Sequence, residues 1–300
     1  MVGLSPNPTQ ITRHYLDIDE LFNADQTPIF FEYIPESTID GCGVCTIWVR
    51  SSGKDKVRLT CMLLGSSFGR KCTPFLVLKV PMAKAHEENW RLRHGFGRHV
   101  WREIQSFQEA CDVQIYANLT GWWNAELSKI WLDYHFKNRA QPSRPAFLHW
   151  ESFSAHWSDD VVAHVRSLKL HLIRVPPGHT GSCQPADISW NHPLKSRLRL
   201  QWIEWMKTQL SSRNVAKCLQ GPTRSMAVDW LIHAWDDLSA SSIANGFRRI
   251  CPTGVDVDPD DDTGDCILDQ IEQRKISDQV LSVTSDDDAV GQALTQTADE

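Results

Sequence analysis

The sequence predicts an α/β domain, because segments typical of strands and of helices follow one another along one chain. Strand-like apolar runs lie in the first eighty residues, at 29–33, 44–50, 57–67 and 70–80. A short apolar run at 146–150 comes later. The segments around it repeat apolar residues every three or four positions, which is the helical period. Strands and helices therefore contribute to the same fold.

The composition is that of a globular protein. The 300 residues are 41% hydrophobic and include 13 Trp, enough chain to bury a large core. No apolar run reaches the roughly 18 residues that a membrane span needs, and the N-terminus lacks a signal-peptide pattern. Nine scattered cysteines predict reduced thiols in an intracellular protein. Cys42 and Cys45 form a CxxC, but no second pair completes a zinc site.

Charge is distributed unevenly along the chain. The net charge is −6, yet the residues from Asp256 onward hold fourteen acidic side chains against Arg274 and Lys275, a net of −12. The preceding residues therefore carry about +6, which is mild evidence for a polyanionic partner. We expect a lead segment at 1–14, one domain at 15–252 and a disordered acidic tail at 253–300.

The early strand-like runs predict an antiparallel arrangement. The runs at 44–50 and 57–67 are joined by SSGKDK and predict a β-hairpin, and the run at 70–80 predicts a further strand. Asp25 stands just ahead of the first apolar run. It is either a solvated turn residue or a site residue presented by that strand.

Two segments combine basic and apolar side chains. Arg91, Arg93 and Arg98 are interleaved with His and Trp, which indicates either a nucleic-acid contact or a solvated loop. The helical segment 195–210 predicts a buried apolar stripe that includes Leu198, Trp202 and Met206. Lys195 and Arg199 lie off that stripe. They form either a solvated face or a DNA contact.

Helix starts are marked by polar residues that accept free backbone N–H groups. Asn124 is expected to cap a helix in the segment 118–139, with Leu127, Ile130, Trp131 and Tyr134 on its apolar stripe. Ser158 is expected to cap the next helix. Asp159 and Asp160 fall in its first turn, where acidic side chains suit the helix dipole.

The segment PPGHTGSCQPADISWNHPLK resembles the last catalytic block of DDE superfamily endonucleases of the mariner/pogo transposase type. Gln184, Pro185 and Asp187 match its Gln-Pro-x-Asp. Two upstream phrases are also similar to blocks of that family. In the first, Asn23, Asp25, Thr27 and Pro28 match. In the second, Trp150, Ser152, Phe153 and His156 match a Trp-Asp-Ser-Phe-x-x-His pattern. The resemblance extends over roughly residues 15–250.

The resemblance implies an RNase H-like mixed sheet flanked by helices. It also implies that Asp25, Glu151 and Asp187 are catalytic carboxylates that bind magnesium or manganese ions, because two divalent ions can activate water and stabilise the leaving oxygen. Asp25 and Glu151 would bridge the ions, and Asp187 would bind the second. The implied activity is cleavage and strand transfer of DNA. Possible homodimerisation and a nuclear location follow from the family and from DNA contact.

The sequence departs from the family pattern in two catalytic phrases. Gln26 replaces the usual Glu, and Glu151 replaces the expected Asp. About twenty residues precede the first phrase, so we expect no helix-turn-helix DNA-binding domain ahead of it. These features favour an alternative, a non-enzymatic descendant that binds DNA or a nuclear partner. An unrelated globular protein without a metal is a third alternative.

Overall fold

The computed structural model describes residues 21–33, 57–81, 91–139, 144, 146–211 and 221–250. Its centre is a six-stranded sheet in the order β4-β3-β2-β1-β5-β6. The strands are β1 (Leu21–Phe30), β2 (Arg58–Ser66), β3 (Phe75–Lys79), β4 (Gln114–Asn118), β5 (Ala146–Trp150) and β6 (Leu170–Arg174). The predicted α/β class with a mixed sheet is confirmed.

Strand direction gathers most strand ends on one side of the molecule. Strand β2 is antiparallel to β1 and β3, whereas the pairs β3–β4, β1–β5 and β5–β6 are parallel. Five strands therefore end at the same end of the sheet, where β2 begins. We call this the carboxyl end of the sheet.

Helices cover both faces of the sheet. They are α1 (Arg98–Ala110), α2 (Ala125–Phe136), α3 (Asp159–Ser167), α4 (Thr180–Cys183), α5 (Asn191–Ser211), α6 (Arg224–Asp236) and α7 (Ala240–Ile250). A 3₁₀ turn (Ser154–His156) precedes α3, and a π-helical turn (Ala186–Trp190) leads into α5. Within the described ranges, no helix combines the length and apolar character needed to cross a bilayer.

The sheet separates two apolar cores because side chains alternate along each strand. Ile29 and Leu63 belong to the core under α1, α5, α6 and α7. Ala24 and Leu64 belong to the core under α2 and α3. By this alternation Asp25 shares the face of Ile29, so it points toward α5 and the π-helical turn.

Strand β1 differs from its prediction. It begins at Leu21, and Asp25 lies in its middle rather than ahead of it. The strand is the central one in its region of the sheet and is buried on both faces. Asn23, Asp25 and Thr27 interrupt the apolar pattern on one face, and all three are buried. Their polar character hid the first half of the strand.

Other predictions have mixed outcomes. Strands β2, β3 and β5 are confirmed, as is Asn124, whose side chain accepts a hydrogen bond from the Leu127 N–H at 2.9 Å. Helix α3 begins after Ser158 as predicted, but the Ser158 side chain makes no capping hydrogen bond. Tyr134 was expected on a buried stripe and is instead exposed.

Some elements were not predicted, and some predictions cannot be compared. Strand β4 and helix α1 were not anticipated, because β4 is only five residues long and charged residues dominate the start of α1. The run at 44–50 with its hairpin, the Cys42–Cys45 pair and the acidic tail lie outside the described residues. The four described cysteines, Cys61, Cys72, Cys111 and Cys183, are free thiols.

Candidate active site

Asp25 and Glu151 occupy neighbouring strands at the carboxyl end of the sheet. Strands β1 and β5 are parallel, with Ala24 opposite Trp150. Asp25 follows Ala24, and Glu151 follows Trp150. Asp25 is buried, with 6% of its surface exposed, whereas Glu151 is half-buried where the chain leaves β5. The two carboxylates are therefore adjacent in register but differ in solvent access.

A single amide joins Asp25 to Asp187. Asn191 Nδ2 donates to Asp25 Oδ2 at 2.6 Å and to Asp187 Oδ1 at 2.8 Å. Gln184 Nε2 donates to the other oxygen of Asp25. Both carboxylate oxygens of Asp25 are thus held by buried amide groups, and Asp187 is tied to the same cluster. Charge-assisted hydrogen bonds of this kind are stronger than neutral ones.

Asn23 fixes the π-helical turn to the sheet. Its Nδ2 donates to the carbonyl of His149 at 2.9 Å, and its Oδ1 accepts from the backbone N–H of Ala186 at 2.9 Å. The side chain is fully buried. One asparagine therefore links β1, β5 and the start of the segment that carries Asp187.

Asp187 lies in a helical turn that leads directly into α5. It is the second residue of the π-helical turn, in which the N–H of Asn191 bonds to the carbonyl of Ala186. Pro193, in the first turn of α5, has no N–H to donate to a preceding carbonyl. One helical hydrogen bond is therefore missing just after the π-helical turn.

Helix α7 packs closely against the π-helical turn at Gly246. A Cβ at this position would lie 2.4 Å from the Pro185 carbonyl oxygen and 2.6 Å from Ser189 Oγ. Only glycine permits this approach. Gly246 thus allows α7 to pack directly against the turn that carries Asp187.

The surroundings of Asp25 disfavour its negative charge. Burial, then Asp187 and also Glu151, raise the pKa of Asp25 to about 7, while the amides of Asn191 and Gln184 act in the opposite direction. Asp187 and Glu151 are therefore both close enough to Asp25 to disfavour its negative charge. Such a cluster favours a bound cation or a bound proton.

Glu151 has a separate set of neighbours, centred on His156. The Glu151 Oε1 lies 3.8 Å from His156 Nε2, beyond hydrogen-bonding distance. His156 Nε2 is 2.8 Å from Gln26 Nε2, and the imidazole stacks on Trp150 with ring centroids 3.8 Å apart. Burial lowers the pKa of His156, so the ring is neutral at pH 7 and its Nε2 can accept from the Gln26 amide.

Comparison with known proteins identifies the family. The model of the DDE superfamily endonucleases matches residues 56–247, most of the chain. This chain belongs to the DDE superfamily endonucleases. The match includes Glu151 and Asp187 and begins after Asp25. The antiparallel meander β1–β3, extended by parallel strands, agrees with the RNase H-like sheet expected for the family.

Two similar relatives are proteins called "Pogo transposable element with KRAB domain". The Mus musculus protein is 25% identical over 241 residues, which cover 79% of this chain and 36% of the relative. The Homo sapiens protein is 24% identical over 254 residues, which cover 83% and 38%. The chain therefore spans less than two fifths of the length of these relatives.

Among solved structures, the chain is similar to a pre-cleavage Mos1 transpososome. The TM-score is 0.43 at 10% sequence identity, and the match covers 84% of this chain and 62% of the other.

The donor atoms around Asp25 suit a hard divalent cation. Its carboxylates offer oxygen ligands, and two buried amide oxygens beside Asp25, Gln184 Oε1 and Asn191 Oδ1, have no hydrogen-bond partner among the described residues. Magnesium and calcium prefer such all-oxygen sets. In the arrangement described, no three His, Cys, Asp or Glu side chains of the covered ranges form a metal-binding group. The oxygen donors around Asp25 therefore suit a divalent cation, while Glu151 lies outside the hydrogen-bonded group of Asp25, Asn191 and Asp187.

The basic residues predicted to contact nucleic acid fall into two groups near the carboxyl end of the sheet. The His94 carbonyl accepts from the N–H of Ala117 in β4, which places the segment of Arg91, Arg93 and Arg98 beside the end of that strand. Arg91 and Arg98 are exposed, and Arg93 is half-buried.

The second basic group lies on α5. Lys195 and Arg199 are exposed, while Leu198 and Trp202 are buried as predicted. Trp202 packs edge-to-face on Tyr33, beyond the end of β1, with ring centroids 6.4 Å apart. The helix therefore runs from the carboxylates along the carboxyl end of the sheet.

Sequence reasoning missed the residues that connect the carboxylates. Asn191 was not singled out, although its position four residues after Asp187 places it on the same side of a helix. Gln26 was treated only as a departure from the family pattern, yet it contacts His156. Gln26 contacts His156 and Asn191 contacts Asp25, and the residues of each pair are more than a hundred positions apart. Neither contact therefore has a local sequence signal.

Proposed function

We propose that this chain is the catalytic domain of a metal-dependent DNA endonuclease of the transposase type. Asp25, Glu151 and Asp187 would be its catalytic carboxylates and would hold magnesium or manganese. The observation that supports this best is the Asn191 amide, which joins Asp25 to Asp187 beside the strand end where Glu151 emerges. Asp25 is buried, Glu151 is half-buried and Asp187 is exposed, and carboxylates gathered at the edge of a core in this way suit a bound cation.

The protein groups have distinct tasks in this proposal. Bound divalent ions would activate water and stabilise the leaving oxygen of the phosphodiester. Asn191 and Gln184 hold Asp25 in one orientation, and Asn23 fixes the turn that presents Asp187. Glu151 is half-buried, and in this proposal its carboxylate has to turn toward the other two. The sheet and the turn thus provide a preorganised pair, which the third carboxylate completes.

The proposed substrate is DNA. Arg91, Arg93, Arg98, Lys195 and Arg199 would contact its phosphates on either side of the carboxylates. The names of the two relatives, both transposable element proteins, support this substrate. We also propose a nuclear location, where such DNA is found, and a homodimer that joins two DNA ends. Cleavage would be followed by strand transfer.

The first test is calorimetric titration of manganese into the purified chain. We expect binding to the native protein and its loss in Asp187→Ala, because that change removes a ligand from the preformed pair. Asp160→Ala is the matched control, since Asp160 is an exposed acid in the first turn of α3 and should leave binding intact. Cleavage of a DNA substrate in magnesium or manganese should follow the same pattern. Equal binding by Asp187→Ala would contradict the proposal.

A second candidate function is DNA binding without cleavage. The observation that favours it is the separation of Glu151 from the other carboxylates, with no metal-binding group of three among the described residues. Glu151→Asp discriminates the two. If only that variant binds manganese, the fold persists as a binding domain and the native site is inactive. If the native protein binds manganese and cleaves DNA, this second function is excluded.

A further inference from the structure

A tight turn after β4 exposes two apolar side chains at the carboxyl end of the sheet. Leu119 is 61% exposed and Trp122 is 60% exposed. An exposed tryptophan forgoes the favourable free energy that burial of a large aromatic side chain provides. Neighbouring large apolar groups in solvent mark interaction sites more often than isolated ones do.

The turn is rigid, so the exposure is not the result of a loose loop. Asn118, itself buried, donates from Nδ2 to the Trp122 carbonyl at 2.8 Å and accepts at Oδ1 from the Thr120 N–H at 3.0 Å. The Thr120 hydroxyl accepts from the Trp122 N–H at 3.2 Å. Gly121 has φ of +72° and packs against Lys79 of β3. These bonds fix the backbone N–H and carbonyl of Trp122, from which its side chain extends.

Two cationic side chains accompany the tryptophan. The Arg58 guanidinium lies over the Trp122 indole, with its Cζ 4.6 Å from the ring centroid. Lys79 is exposed at the end of β3, directly beneath Gly121. We call Arg58, Lys79, Leu119 and Trp122 the Trp122 platform. An aromatic ring beside two cations suits a ligand that has both a flat apolar surface and negative charge.

The Trp122 platform is tied to the strand that carries Asp25. Thr60 Oγ1 donates to the Gly121 carbonyl at 3.0 Å, and Thr60 is paired with Pro28 of β1. Pro28 is three residues, about 10 Å, beyond Asp25 along the strand. The platform therefore lies toward the same end of the sheet as the carboxylates, on the face opposite to the Asp25 side chain.

We propose that the Trp122 platform binds an unpaired nucleotide of the DNA strand that passes the carboxylates. Trp122 stacks on the base, and Arg58 and Lys79 contact the adjoining phosphates. This inference rests on the proposed DNA substrate. It adds a contact for single-stranded DNA. This contact is separate from the basic residues of the segment 91–98 and of α5, which would contact phosphates of single-stranded and duplex DNA alike. Stacking on an indole requires an unstacked base, so blunt duplex does not engage the platform.

The test is fluorescence anisotropy with two labelled probes, a blunt duplex and the same duplex with a single-stranded overhang, in EDTA so that no cleavage occurs. Trp122→Ala should weaken overhang binding about 10-fold and change blunt binding less than about 2-fold. Trp122→Phe keeps a stacking ring and should retain most of the affinity. Arg58→Gln should weaken overhang binding and reduce its salt dependence.

The chain offers matched controls at the opposite end of the sheet. Phe68 is 67% exposed in the β2–β3 connection, and Arg166 is exposed in the last turn of α3. Phe68→Ala and Arg166→Gln should leave both probes unaffected. Thermal unfolding of each variant separates a binding defect from a folding defect.

The outcomes distinguish this inference from the proposed function. An overhang preference that survives Trp122→Ala, or an equal loss with both probes, overturns the platform and leaves the manganese and cleavage tests standing. Trp122-dependent overhang binding without manganese binding or cleavage supports the platform and overturns the endonuclease. A native protein that binds neither probe overturns both, and the platform would then be a protein contact.

Discussion

The Asn191 amide of α5 bonds to both Asp25 and the exposed Asp187, and Gln184 bonds to the second oxygen of Asp25, whereas the Glu151 carboxylate lies 3.8 Å from His156 Nε2. The first pair is fixed before any ligand binds, and the third carboxylate is free to adjust. One site therefore joins a rigid half to an adaptable half. Changes to the rigid half should act on folding stability, and changes to the adaptable half should act mainly on ligand binding.

The pH dependence of stability gives the largest expected difference. The folded pKa of Asp25 is about 7, against 3.8 for the unfolded chain. The folded state therefore retains a proton that the unfolded state has lost, so this group's contribution to stability falls as pH rises from about 4 to about 7. Asp25→Asn removes that fall. Its stability relative to the native protein should increase by about 3–4 kcal/mol over that range.

Urea unfolding at pH 4, 6 and 8 measures this difference. Burial also lowers the pKa of His149 to about 4, which makes stability rise with pH over part of the same range. That effect is present in both proteins and cancels in the comparison. A constant difference between Asp25→Asn and the native protein across the series would show that Asp25 is ionised throughout.

Removing the shared amide should cost the next largest amount. Asn191→Leu keeps the approximate volume but leaves Asp25 and Asp187 without their common donor, so we expect a loss of about 2–3 kcal/mol at pH 8. The loss should be smaller at pH 5, where Asp25 is protonated. Gln26→Leu is the matched change in the adaptable half, and it should cost about 1 kcal/mol. Equal losses at pH 8 would contradict the contrast between the two halves.

The close approach of α7 predicts a steric effect. Gly246→Ala places a methyl group 2.4 Å from the Pro185 carbonyl oxygen. Because this oxygen belongs to the backbone, no side-chain rotation relieves the contact, and the change should cost about 1–2 kcal/mol. Gly181→Ala in α4 meets nothing within 4 Å and should be neutral or slightly stabilising. Thermal unfolding compares the two, and manganese titration of Gly246→Ala checks whether displacement of the π-helical turn reaches Asp187.

The sequence was sufficient for what local patterns encode. Strands β2, β3 and β5, the cap at Asn124 and the buried stripe of α5 follow from periodicity and from residue types that suit particular positions. The resemblance drew attention to Asp25 and Glu151, which the sheet register places side by side, and to Asp187, which Asn191 links to Asp25. Asp25 was misplaced relative to β1, because Asn23, Asp25 and Thr27 on one face and Gln26 and Pro28 on the other leave neither an apolar run nor a clean alternation.

What the sequence did not indicate depends on contacts between distant segments. Asn23 contacts Ala186, and Asn191 contacts Asp25; both contacts need the folded sheet before they can form. The exposed position of Trp122 could not be distinguished from that of the neighbouring Trp123, which is buried. Adjacent identical residues face opposite environments here, and only the fold decides which one is exposed.

The smallest effect tests whether the two departures from the family pattern are linked. Gln26 and Glu151 both face the buried His156 ring, at 2.8 Å and 3.8 Å from Nε2, where the resemblance leads us to expect Glu and Asp. A second carboxylate at position 26 would repel Glu151 and could not donate to the imidazole. Gln26→Glu alone should therefore destabilise the protein, and adding Glu151→Asp should recover about 0.5–1 kcal/mol by withdrawing the competing charge. In a double-mutant cycle by urea unfolding, Gln26→Glu with Glu126→Asp is the control, because Glu126 is exposed on α2 and its effect should simply add. If positions 26 and 151 are also additive, His156 does not couple them, and Glu151 reaches the other carboxylates independently of Gln26.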